Sequence, residues 1–146
     1  MKRLFILLLA LLLVGCVREP AVVDLGGKPV VYDSTEEMAQ AAELIVTGVV
    51  LRADSRIQRL TGDQVTSALT ISDFQITAVE KGDVQPGDVI KVWQDSAFDA
   101  EHNTIYEFAG STPLTQSGEY QLYLRPREYG SEYYVSVSFQ GIIPNS

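Results

Sequence analysis

Two basic residues, Lys2 and Arg3, precede an unbroken apolar run of 11 residues from Leu4 to Val14, which meets Gly15 and Cys16. A helix needs roughly 20 apolar residues to cross the hydrocarbon core of a bilayer, so the run is too short for a stable span. A charged start, a short apolar stretch and a small residue at its end make the layout of an export leader. From Val17 to Pro29 the apolar periodicity disappears and Pro20, Gly26, Gly27 and Pro29 interrupt the chain, which predicts a tether.

Beyond the tether, Ser34-Thr35-Glu36-Glu37 is a capping-box pattern. Met38, Ala41 and Ala42 follow at helical spacing, predicting a short helix from Thr35 to Ala42. The remainder reads as strands. Leu44 to Leu51 is apolar in both phases and rich in Ile, Val and Thr, with Gly48 marking a bend. A second strand runs from Val65 to Glu80, where Leu69 and Ile71 occupy one phase and Phe74, Ile76 and Ala78 the other, predicting a bulge near Asp73. Pro86-Gly87 suits the centre of a type II turn, and a third strand, Val89 to Gln94, follows. The stretch from Asp95 to Ser117 is polar and irregular apart from a short strand at Thr104 to Phe108. Such length in a loop points to function.

A fourth strand, opened by Gly118 and ended by Pro126, places Tyr120, Leu122 and Leu124 on one face. In the fifth, Tyr133, Val135, Val137 and Phe139 alternate with Tyr134, Ser136 and Ser138, and the first set is predicted to face the core. Five strands with a bulge in the second predict a mainly β fold, a small OB-like barrel with a short N-terminal helix. A two-sheet β-sandwich is the alternative. Pairing of the first strand with the fourth separates the two. The expected organisation is a signal peptide over 1–15, a lipidated tether over 16–29 and one barrel domain over 30–146.

Composition narrows the function classes. Removing Met1 to Gly15 leaves nine basic against 19 acidic residues, a net charge of −10. Nucleic acid is an improbable partner for such a domain, because phosphate contacts need clustered Lys and Arg. Cys16 is the only cysteine, so no disulfide can form within the chain.

Leu13-Val14-Gly15-Cys16 resembles the lipobox of bacterial lipoproteins, in which the cysteine is diacylated and becomes N-terminal. The resemblance implies lipid attachment at Cys16 and residence at the extracytoplasmic face of the cell membrane, or at an outer membrane if the cell has one. Two acyl chains are enough for stable anchoring, since each buried methylene contributes about 0.8 kcal/mol. Ala42-Glu43-Leu44-Ile45-Val46-Thr47-Gly48-Val49-Val50, Phe74-Gln75-Ile76, Val79-Glu80-Lys81-Gly82-Asp83, Pro113-Leu114 and Gly118-Glu119-Tyr120-Gln121-Leu122-Tyr123-Leu124 resemble lipoprotein domains of unassigned role from Gram-positive bacteria. They are also distantly similar to the netrin-like modules of metalloproteinase inhibitors, which have an OB-type barrel. Those inhibitors present a free N-terminal cysteine to the protease metal. Here that cysteine is expected to carry lipid, so the resemblance implies the fold alone.

The candidate chemistry is sparse. The single histidine, His102, lies among Asp95, Asp99, Glu101 and Glu107, an oxygen-rich set that can hold a cation although its spacing matches no standard metal loop. No Gly-x-Ser-x-Gly elbow, phosphate loop, zinc spacing or dinucleotide fingerprint occurs, so no cofactor is expected. Tyr123 and Tyr134, with Trp93, are predicted to form an outward aromatic patch suited to ligand binding. The sequence therefore predicts a non-enzymatic binding or interaction module for a protein or cell-wall ligand. The alternatives are a hydrolase of envelope polymers using loop carboxylates, and an inhibitor of a surface protease.

Overall fold

The computed structural model describes residues 15–145; the expected leader up to Val14, with the first two positions of the predicted lipobox, lies outside them. The elements in chain order are β1 (Ala21–Asp24), α1 (Thr35–Ala41), β2 (Leu44–Arg59), β3 (Val65–Lys81), β4 (Val89–Gln94), β5 (Ser96–Asp99), β6 (Thr104–Glu107), β7 (Glu119–Pro126), β8 (Tyr133–Ser136), a 3-10 turn (Phe139–Gly141) and β9 (Ile142–Asn145). No helix among the described residues is long and apolar enough to cross a membrane.

Five strands form a ring in the order β2-β3-β4-β8-β7, and β7 pairs back onto β2 from Leu44↔Leu124 to Val49↔Glu119. That first-to-fourth pairing, expected of a barrel, makes a mainly β fold with a partly closed, barrel-like ring. All neighbours are antiparallel except β4 and β8, whose parallel seam has two register pairs, Lys91↔Tyr133 and Val92↔Tyr134. The ring is therefore only thinly closed there. β9 adds to the wall beside the first half of β7.

The interior is filled by Val46, Phe74, Ile76, Val92, Leu122 and Leu124, each at most 1% exposed. Full burial of such a side chain contributes about 1.5–3 kcal/mol. Gly48 lies where β2 passes tightly against β3: a Cβ there would stand 2.1 Å from the Gln75 carbonyl oxygen. Only glycine permits this approach.

The helix begins as expected. Ser34 Oγ accepts from the Glu37 N–H at 3.2 Å, while the Glu37 carboxylate accepts from the Asp33 N–H at 3.3 Å, one residue earlier than a standard capping box. At the other end Lys81 Nζ donates to the carbonyls of Ala39 and Ala42, fastening α1 to the end of β3. Met38 and Ala42 then cover Ile45, Tyr123 and Val137 on the outer face of the barrel.

Several expectations are corrected. The first strand continues past Leu51 through Arg59, because β2 and β3 form one long hairpin in which cross-strand pairing overrides the polar character of Arg52 to Arg59. The bulge near Asp73 exists but belongs to β2: Val50 faces Phe74 and Arg52 faces Asp73, leaving Leu51 as the extra residue. β3 itself keeps one phase, with Ala68, Thr70, Ser72, Phe74 and Ile76 all buried and Leu69 and Ile71 half-buried on the other side.

The tether is not free. β1 pairs in parallel with β6, the Leu25 N–H donates to Glu107 O at 2.8 Å, and the Ala109 N–H donates to Gly26 O at 2.8 Å. The loop after Asp95 is also structured: β5 and β6 form a hairpin, which with β1 makes a second, three-stranded sheet. That sheet packs on the outer arm of the long hairpin through Ala97, Tyr106 and Leu25 against Ala68, Ile57 and Val65.

Candidate functional site

The acidic loop resolves into separate roles. Asp99, at the end of β5, is almost fully buried. Its Oδ1 accepts the backbone N–H groups of Glu101 and His102 at 3.1 and 3.2 Å, and its Oδ2 contacts His102 Nδ1 at 2.8 Å and receives the Arg59 guanidinium. Burial raises the pKa of this carboxyl, but the His102 hydrogen bonds and the charges of His102 and Arg59 outweigh it and hold the group below its ordinary value. Arg59 also lies over the Tyr106 ring, 5.7 Å from its centroid. The cluster clasps the β5–β6 turn to the tip of the long hairpin.

The remaining acids stand apart from this clasp. Asp95 accepts the Trp93 indole N–H at 3.0 Å, Glu101 is exposed, and Glu107 accepts from the Thr112 hydroxyl at 3.4 Å. Asp95, Asp99, Glu101 and His102 thus do not converge as one ligand set. Among the described residues no three His, Cys, Asp or Glu side chains are grouped to hold a metal ion.

The aromatic patch is rearranged as well. Tyr123 is 4% exposed beneath α1, and burial, then the nearby charges of Glu80 and Glu36, raise its pKa above 10.0. Tyr134 packs against the barrel core, not outward. Its neighbour Tyr133 faces out instead and meets Trp93 edge-on, with ring centroids 5.7 Å apart at 75°. The phase of β8 is therefore opposite to the predicted one. The outer face there is itself covered: Val137 packs under α1, and apolar alternation marked that cover, not the barrel interior.

What replaces the patch is a cleft of about 320 Å³ on the outer face of β4, β8 and β7. Arg125 on β7 and Arg127, one residue past its end with its N–H still bonded to Tyr133 O at 2.8 Å, are two apart and so share one face by the period of a strand. Val135 faces Arg125 across the β7–β8 pair, and Trp93 lies on β4. The Arg127 guanidinium stacks on the Trp93 indole, 4.1 Å from the ring centroid, a distance suited to a cation–π contact. The fastened segment after β1 supplies Lys28 and Val30 to the opposite wall, beside Phe108 and Phe139. Both phenyl rings are more than 40% exposed.

A buried glutamine and a close-packed glycine shape this region. Gln94, 3% exposed, donates to Thr112 O at 2.8 Å and accepts from the Leu114 N–H at 2.9 Å, holding Leu114 in the barrel core. Gly27, at φ +91°, lies under the Phe108 ring, where a Cβ would come within 2.6 Å of it. Neither Lys28, Arg125, Arg127 nor Gln94 was singled out from the sequence. They are scattered over 100 residues, and no local pattern brings them together. The trace that did exist was the pair Arg125 and Arg127 two apart near a strand end.

A larger groove of about 440 Å³ lies between Pro20, Ala53, Phe98, Ile105 and Pro113. Its lining includes no ionisable side chain, so it offers little to orient a charged ligand. Cys16 is exposed and free, ahead of β1. The chain matches no model of a known protein family, and no curated protein matches it in sequence.

Proposed function

We propose that this chain is an envelope lipoprotein, anchored through diacylglycerol on Cys16, whose OB-like barrel is a non-enzymatic binding module that uses the Trp93 cleft. The single observation that carries the reading is the cleft itself, where cations and exposed aromatic rings converge on the wall of a small barrel. The only histidine stands elsewhere, committed to Asp99 and Arg59. The charged leader and the junction at Cys16 support the anchor.

The fastened tether gives this reading a geometry. Ala21, the start of β1, lies five residue steps after Cys16, so the lipid and the sheet stand at most about 18 Å apart at roughly 3.6 Å per residue. β1 enters beside Asn103 and runs parallel to β6 toward Glu107, after which Lys28 reaches the cleft. On a membrane the Asn103 end is then the near one and the cleft opens on the far side.

Two measurements test the proposal. Globomycin should cause a precursor retaining Met1–Gly15 to accumulate, and normal processing in its presence would remove the anchor. The full-length protein in detergent micelles should co-sediment with isolated envelope material, and the Trp93→Ala variant should not; equal sedimentation of both would remove the cleft from the reading.

A further inference from the structure

We infer that the Trp93 cleft selects an anionic saccharide, with the charged substituent held by Lys28, Arg125 and Arg127 and the sugar ring against Phe108 and Phe139. The inference rests on the binding-module reading and names its ligand class. Charge carries it first. Only nine basic residues follow Gly15, against 19 acidic ones, yet three of the nine line this one cleft. Such a concentration of positive charge on an acidic domain focuses anions locally.

The fate of the other six cations adds to the point. Arg56, Arg59 and Lys91 pair with Asp54, Asp99 and Asp73, Lys81 is spent on helix carbonyls, and Arg18 and Arg52 stand exposed outside the cleft. Within the cleft, Lys28 and Arg125 have no side-chain ion-pair or hydrogen-bond partner among the described residues and stand exposed. Arg127 has an exposed pairing with Glu128 at 3.3 Å, which contributes little at a solvated surface, while its contact over the Trp93 ring restrains the guanidinium. A planar fork held in place is preorganised for two parallel bonds to a carboxylate or phosphate.

The rest of the lining favours a sugar as the body of the ligand. The exposed rings of Phe108 and Phe139 offer apolar faces, and Ser111, Ser136 and Ser138 add hydroxyl groups. Asp95, the one acid in the lining, is already engaged by the Trp93 indole and is an acceptor for a sugar hydroxyl. At about 320 Å³ the cleft is at the small end of ligand sites, fitting a monosaccharide unit or the end of a polymer.

Trp93 is the only tryptophan, so its fluorescence reports on this cleft alone. The full-length protein in neutral detergent micelles would be titrated with N-acetylmuramic acid, N-acetylglucosamine 1-phosphate and uncharged N-acetylglucosamine. At least one anionic sugar should shift the emission saturably, at a concentration about tenfold or more below the neutral one, and the better of the two tells carboxylate from phosphate. Lys28→Gln and Arg125→Gln, both at exposed positions, should each weaken that binding roughly tenfold, as expected for loss of a charge-assisted contact, while leaving the far-UV circular dichroism unchanged. Equal response to the neutral sugar, or no response to any of the three, would overturn the inference. If the wild type still co-sediments with envelope material in that case, only the ligand class fails; if it does not, the binding-module reading fails too.

Discussion

Gln94→Leu is the substitution that most directly tests how the barrel holds its irregular segment. The variant keeps the size of the side chain but removes both bonds to the segment after β6, leaving the Leu114 N–H and the Thr112 carbonyl without partners. Thr112 is exposed and its carbonyl can turn to water, whereas Leu114 is 4% exposed and its amide cannot. One orphaned buried donor costs about 1–3 kcal/mol. For a domain of this length 1 kcal/mol lowers Tm by about 3–5 °C, so the expected loss is roughly 3–15 °C. Thermal unfolding followed by circular dichroism gives the global effect, and hydrogen exchange at the Leu114 amide gives the local one, where protection should fall by more than at the β7 amides. An unchanged Tm together with a Leu114 amide as slow as in the wild type would refute the clamp.

Two further predictions address places where the structure departs from the sequence pattern. Tyr123→Ala should destabilise the domain by about 3–5 kcal/mol in a denaturant titration, as for other buried aromatic residues; a change within about 0.5 kcal/mol would return Tyr123 to the solvated surface. The lowered pKa of Asp99 means that its ionised form stabilises the fold above the ordinary value of 3.8, and that this contribution is lost as pH falls through the still lower folded value. The stability difference between wild type and Asp99→Asn should therefore shrink on acidification below 3.8. A difference independent of pH from 6 to 2 would remove the clasp from the account.

The contacts that corrected the tether are carried by the backbone of β1. Pro and Gly in residues 17–29 remove helix and regular alternation, and a flexible linker is the natural reading of such a stretch. Yet β6 offers an unpaired edge, and four residues, Ala21 to Asp24, satisfy it. Val22 and Val23 remain more than 40% exposed, so backbone bonding and not apolar burial holds this strand, and no hydrophobic period announces it.

The sequence by itself determined the capped helix, the edges of β3 and β4, the inward phase of Tyr120, Leu122 and Leu124, and a mainly β, barrel-like fold. These rest on local signals: caps, proline and glycine turns, and a two-residue period with one side fully inside. Tertiary structure decided which side of β8 faces inward, the burial of Tyr123, the length of β2 and the make-up of the cleft. In each case the deciding partner comes from a distant part of the chain, as α1 does over Tyr123 and Val137, or Lys28 does opposite Arg125 and Arg127. An apolar alternation says that one face of a strand is covered; only the assembled fold says by what.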